Sequence, residues 1–251
     1  MTEHPACLPV LGALTRDIVD HLGGSLVGLY LYGSLVVGDF DDRRSDIDLL
    51  AVTRDLLSSE TEHAIAEMHD SLAQRYPAWR DRLEVGYFPA TILRRYEPPL
   101  GDVHRISPGE PFHRTPALPH WLTDLYSVQE HGHVLYGSPL GAVLPPISPA
   151  RFRAAIQRAV AEWREWVVGV EERRHQAYVR LTMFRSLYSC QFGRQTSKVA
   201  AAEWFAAEFP EWSRDAEQAL EWRRSDSATV DLPGAQRTVE LVRLVYDRTR
   251  T

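Results

Sequence analysis

LYLYGSLVVGDFDDRRSDIDLLAVT, running from Leu29 to Thr53, decides the fold of the N-terminal half. Leu29 to Tyr32 is apolar and aromatic and stops at Gly33-Ser34, as a buried strand does when it meets a turn. Eleven residues separate Ser34 from Asp46, and Gly38, Asp39, Asp41, Asp42, Arg43 and Arg44 among them are loop formers or charged. Ile47, Leu49, Leu50, Ala51 and Val52 resume the apolar pattern, so a second strand is predicted to begin at Ser45-Asp46.

Side chains alternate along a strand, which puts Asp46 and Asp48 on one face while Ile47 and Leu49 point into the core. Two adjacent carboxylates repel unless a cation sits between them, and carboxylate oxygens suit Mg²⁺, which also binds substrate phosphates. Gly33 lets the backbone approach a polyphosphate, and the Ser34 hydroxyl can donate to it. An Asp-x-Asp alone reads more readily as a polar loop with a solvated acidic strand edge. The strand-Gly-Ser before it favours nucleotidyl transfer. Farther on, RDRLEVGYF (Arg80 to Phe88) places Glu84 between Leu83 and Val85, facing away from both. If that strand lies beside the Asp46-Asp48 strand, three carboxylates converge, enough to hold metal ions and act as general base.

The 251 residues suggest two domains, and the apolar and charged fractions are those of an ordinary soluble globular protein. A net charge of -6 argues against a nucleic-acid partner and suits a cationic small substrate. Cys7 and Cys190 are too few and too distant in sequence for a disulfide framework. Glu3, His4 and Pro9 do not make a signal peptide, and no segment has the length of a membrane span, so a cytoplasmic enzyme is expected. His113, His120, His131 and His133 do not form a zinc pattern. Of 28 basic Lys and Arg residues only Lys198 is a lysine, and a compact ammonium is not equivalent to a guanidinium at a polyphosphate. Chance retention of a surface lysine explains it as well.

Apolar periodicity predicts a helix over 8–22, strands at 26–32, 46–53 and 82–88, and a helix at 58–75. The Pro-, Gly- and His-rich 97–119 reads as loop, followed by a helix at 119–131 and a short apolar stretch from His133 to Gly137. LPPISPA (Leu144 to Ala150) reads as a linker, and helices are predicted at 149–172, 175–192, 197–208, 211–224 and 234–249. The expectation is an α+β chain. Residues 1–147 would form a nucleotidyltransferase domain with a mixed sheet and flanking helices, and 148–251 an all-α helical bundle.

Gly33, Ser34, Asp46 and Asp48 together resemble the polymerase-beta-type nucleotidyltransferases. LTMFRSLYSCQFGRQTSKVAAAEWFAAEFP, Leu181 to Pro210, resembles the helical domain of the streptomycin/spectinomycin adenylyltransferases, through Arg185, Tyr188, Gly193, Lys198 and Ala201-Ala202-Glu203-Trp204. The resemblance implies ATP- and Mg²⁺-dependent transfer of AMP to an aminoglycoside hydroxyl, with two metal ions and pyrophosphate release, each half of the chain supplying part of the site. It implies Asp46, Asp48 and Glu84 as metal ligands, Glu84 also as catalytic base. Gly33, Ser34 and Ser45, with Arg185 and Lys198, would bind the nucleotide. Streptomycin-modifying members carry Gly-Glu-Trp where this chain has Gly109-Glu110-Pro111-Phe112, and an acidic residue where it has Gln176. A spectinomycin-like acceptor is therefore favoured, with Phe112, Trp121, Asp124 and Gln176 as candidate acceptor contacts. A monomer suffices for such a site. Two rivals stand beside this reading: a nucleotidyltransferase acting on a protein or tRNA, and a non-catalytic nucleotide-binding protein.

Overall fold

A computed structural model describes residues 4–98, 100–224 and 229–250. The chain divides into two compact units, Met1–Ile147 and Ser148–Thr251.

In the first unit the elements run α1 (Leu8–Leu22), β1 (Leu26–Tyr32), α2 (Ser34–Val37), β2 (Ile47–Thr53), α3 (Ser59–Arg75), β3 (Leu83–Pro89), α4 (Ala90–Leu93), β4 (Asp102–Ser107), β5 (Glu110–Pro116), α5 (Leu122–His131) and β6 (His133–Gly137). The strands form one sheet in the order β5-β4-β3-β2-β1-β6. β2 and β3 run parallel, and the other neighbours are antiparallel. A parallel pair needs a crossover, and α3 supplies it. Ser58 caps α3 by accepting from the Thr61 amide at 3.2 Å, and Glu60 and Glu62 lie at its positive end.

Alternation along the strands sorts the two faces. Leu29, Leu31, Ile47, Leu49, Ala51, Leu83, Val85 and Tyr87 pack with Leu11, Leu14 and Ile18 of α1 and Ile65, Met68 and Leu72 of α3 in one apolar core. The opposite face carries Tyr32, Asp48 and Glu84 and is covered by α5, which buries Leu122, Leu125 and Val128. Among the described residues no helix is long and apolar enough to cross a membrane.

The stretch 97–119 departs from the loop expected of it: β4 and β5 form a hairpin closed at Pro108-Gly109, where Gly109 has φ +78°. Pro111 and Pro116 masked the second strand. Both are tolerated because β5 is the sheet edge, where a missing amide breaks no internal ladder.

His69 of α3 is 2 % exposed on the core face, its Nε2 2.8 Å from the Tyr87 hydroxyl. Burial lowers its pKa to about 4. The folded state thus favours the neutral ring. Its contribution is complete above the unfolded value near 6.5 and is lost as pH falls toward 4, about 3 kcal/mol in all. Urea titrations at pH 7 and pH 4.5 are expected to show most of this loss, and His69→Leu to flatten it. Equal slopes for parent and variant would contradict the assignment.

The second unit is helical: α6 (Pro149–Trp166), α7 (Arg173–Phe192), α8 (Lys198–Glu208), α9 (Ser213–Arg223) and α10 (Leu232–Thr249). α6 stops at Trp166, six residues short of the predicted 172, ahead of Gly169 at φ +98°. α7 is buried on several sides, with Ala177, Val179, Leu181, Met183, Phe184 and Leu187 all inside, and it packs on α6, α8, α9 and α10. Gly193 ends α7 in the left-handed conformation, and the buried Ala201 and Ala202 face inward from α8. Ser148, Ser197 and Asp231 cap α6, α8 and α10.

Candidate active site

Strand register brings the acidic residues together. Tyr32 of β1 is the partner of Asp48 on β2, and Asp48 is the partner of Glu84 on β3, so the three side chains form one row across the sheet. Asp46 precedes β2 by one residue, at the end of a loop that the protein closes firmly. The Asp41 amide donates to the Ser45 hydroxyl at 2.9 Å, and Arg82 donates through Nε and Nη2 to the Ser45 carbonyl at 3.0 and 2.6 Å. Arg82 is itself stacked 4.1 Å above the Trp79 ring. Ser45, expected to bind nucleotide, is buried, and its hydroxyl accepts within this loop.

Gly33 ends β1 at φ +74° and ψ −155°, a conformation reserved for glycine, and any Cβ there would run into the Asp48 carboxylate. The chain turns directly into α2, with Ser34 at its head. Gly33→Ala is therefore expected to cost about 1–3 kcal/mol of stability from backbone strain. By displacing Asp48 it should also cost about 100-fold in turnover. Thermal unfolding and initial rates check the two separately, and an unaltered rate would detach Asp48 from the chemistry.

Beside the carboxylate row lies a cleft open to solvent and lined by Tyr32, Glu84, Gly86, Phe88, Arg105, Trp121 and Asp124 among others. Burial pushes the Tyr32 phenol well up from its ordinary pKa, and Asp124, Glu84 and Asp48 push in the same direction, so it stays a protonated donor among three carboxylates. Arg105, whose strand pairs it with Gly86, reaches Glu84 Oε1 at 3.5 Å and lies 5.0 Å from the Trp121 ring centre. Trp121 packs edge-on against Phe88. Neither Tyr32 nor Arg105 was singled out by sequence. The alternation Val103, Arg105 in DVHRIS was the available signal, hidden in a segment read as loop.

The cleft brings Trp121 and Asp124 together with Glu84, but not the other two acceptor candidates. Phe112 lies on the opposite face of the sheet, stacked on His104 at 5.6 Å and against His69 and Tyr87, because the hairpin register turns it toward α3. Gln176 is 0 % exposed in the second unit. Its amide donates to the carbonyls of Glu171 and Asp231 at 2.7 and 2.9 Å and its oxygen lies 3.4 Å from the Thr238 hydroxyl, so both of its N–H donors are used within the unit. Arg185 is half-buried on α7. Lys198 opens α8, with its ammonium 5.1 Å from the Tyr178 ring.

Among the described residues no group of three or more Asp, Glu, His or Cys side chains is placed to hold a metal ion, so Asp46, Asp48 and Glu84 are not gathered as a three-ligand cluster. The donor chemistry nonetheless suits Mg²⁺. Asp48 and Glu84 are lateral neighbours with Asp46 next to them, and Mg²⁺ is ordinarily held by one or two carboxylates together with water and substrate phosphates rather than by protein alone.

Residues 142–246 match the family of aminoglycoside adenylyltransferase C-terminal domains. No curated protein sequence matches the chain. Among solved structures it is similar to spectinomycin adenyltransferase AAD(9) from Enterococcus faecialis, determined with ATP and spectinomycin, at TM-score 0.77 and 16 % identity over 97 % of this chain and 99 % of that one. At such identity the likeness establishes the fold, the α+β arrangement expected from the sequence. A toxin-antitoxin structure with AMP-PNP aligns at 17 % identity over 62 % of this chain and 97 % of that one, with a TM-score of 0.29 too low to carry an argument.

Proposed function

We propose that the chain is a nucleotidyltransferase of the aminoglycoside adenylyltransferase kind, which transfers AMP from ATP to a hydroxyl of an aminoglycoside or aminocyclitol, spectinomycin-like rather than streptomycin-like, releasing pyrophosphate. One observation carries this reading: Glu84 lies next to Asp48 by strand register and lines a cleft that also holds Trp121 and Asp124. A carboxylate facing a solvent-open cleft is placed to take the proton of an entering hydroxyl. The hydroxyl oxygen forms a bond to the α-phosphorus, the bond to the pyrophosphate oxygen breaks, and the proton passes to Glu84. Asp124 offers a negative charge, which suits the amine of an amino sugar, and Trp121 a flat apolar wall.

Gly33, Ser34, Ser45, Arg185 and Lys198 are the residues proposed to bind the nucleotide. Asp46, Asp48 and Glu84 are the residues that would hold Mg²⁺, which when bound supplies positive charge against the phosphates. Positioning and electrostatics carry most of the acceleration in such transfers. The enzyme is proposed to act in the cytoplasm as a monomer.

Mass spectrometry of an aminoglycoside panel after incubation with ATP, Mg²⁺ and enzyme tests this. A gain of one AMP on spectinomycin or a related aminocyclitol is expected. AMP label in protein or tRNA, with none in small molecules, would overturn it.

A further inference from the structure

A pocket that recognises a guanidinium or ammonium group usually meets it with an aromatic face and a carboxylate. The cleft possesses both, in Trp121 and Glu84, yet one of the protein's own cations is already set between them. The Arg105 guanidinium lies 5.0 Å from the Trp121 ring centre and 3.5 Å from Glu84 Oε1. Its Nε is 4.0 Å from Glu110 Oε2, and Nη2 donates to the Ser107 hydroxyl. The side chain is half-buried and held from several directions, so it is a fixed part of the wall rather than a mobile surface charge. The cleft lining also includes a second carboxylate, Asp124.

We infer that Arg105 is a specificity-determining residue, an internal stand-in for a substrate guanidinium that excludes guanidinium-bearing acceptors from the Trp121-Glu84 wall and presents that wall to neutral oxygens. The inference rests on the acceptor reading above and extends it. An acceptable substrate carries its amine toward Asp124 and turns hydroxyl or carbonyl oxygens, which accept from a guanidinium, toward Arg105. A like charge against a fixed cation is repelled, and such repulsion discriminates between acceptors without any new attractive contact.

The test compares kcat/KM for streptomycin, which bears guanidinium groups, with that for spectinomycin, which has none. In Arg105→Gln the streptomycin-to-spectinomycin ratio is expected to rise by about tenfold or more, while Arg105→Lys, which keeps the charge, stays within about twofold of the parent. Any disturbance of Glu84 affects both acceptors alike and cancels in the ratio. An unmoved ratio in Arg105→Gln, or an equal rise in Arg105→Lys, overturns the inference. Calorimetric titration of streptomycin into the parent and both variants needs no turnover. Parent protein that modifies no acceptor at all would sink the functional reading. Streptomycin binding gained by Arg105→Gln alone would still uphold the exclusion, and no gain would overturn it.

Discussion

Enzyme carrying Glu84→Gln transfers AMP about 10² to 10⁴ times more slowly than the parent, the range expected when a general base is removed. The substitution is isosteric and its site is 36 % exposed, so the fold has little reason to suffer. The ion pair to Arg105 that it weakens is partly solvated, and such pairs are worth about 1 kcal/mol or less. Rate and stability should therefore separate: initial rates collapse while circular dichroism and the unfolding midpoint stay near those of the parent. A variant still working within about threefold of the parent rate would remove Glu84 from the chemistry. Asp48→Asn offers the complementary case, because Asp48 is the lateral neighbour and abuts Gly33.

The second large effect is on stability and lies in the helical unit. Arg180 is 1 % exposed, and burial lowers the pKa of its guanidinium while Asp215 and Asp231 oppose that. It donates to the Thr238 hydroxyl and the Gly234 carbonyl, both at 2.8 Å, lies 4.9 Å from the Trp222 ring centre, and reaches Asp215 Oδ1 at 3.3 Å. The other Asp215 oxygen accepts from Arg237 at 3.1 Å. Asp215→Asn removes the carboxylate both arginines share and leaves a cation in the interior offset, among the described residues, by Asp231. The expected cost is about 3–5 kcal/mol, the range for breaking a buried ion pair by removing one partner. For a unit of this size that lowers the thermal midpoint by more than about 10 °C. Calorimetry decides it, and a fall of under about 2 °C would show that the charge is compensated elsewhere. Replacing both partners with apolar residues, Arg180→Met with Asp215→Leu, should recover much of the loss, since no lone charge then remains inside.

The segment from Leu29 to Thr53 was readable because its information is local. An apolar run, a glycine and period-2 alternation suffice to define two strands and the face of Asp48. Glu84 could be placed on a strand for the same reason, though its pairing with β2 is a long-range fact that the crossover through α3 makes true. The β4-β5 hairpin resisted reading because Pro111, Pro116 and Gly109 are loop formers by composition and strand or turn residues only at an edge. With the hairpin went Arg105 and the facing of Phe112, whose ring turns to His104 and Tyr87 on account of register. Gln176 illustrates another barrier. A polar residue that spends its hydrogen bonds on two carbonyls of its own unit looks, in one dimension, like one awaiting a ligand.

The parallel pairing of β2 with β3 has a consequence for endurance. Those strands are interior to the sheet, flanked by β1 and β4, while β5 and β6 form its margins. Amide exchange in the first unit should then be slowest along Ile47–Thr53 and Leu83–Pro89, because opening propagates from the periphery inward. Asp48 and Glu84 are thus carried by the most slowly exchanging backbone of their unit, and their mutual spacing should outlast fraying of the hairpin that bears Arg105. Under mild denaturant, selectivity among acceptors is expected to fail before the capacity to transfer AMP.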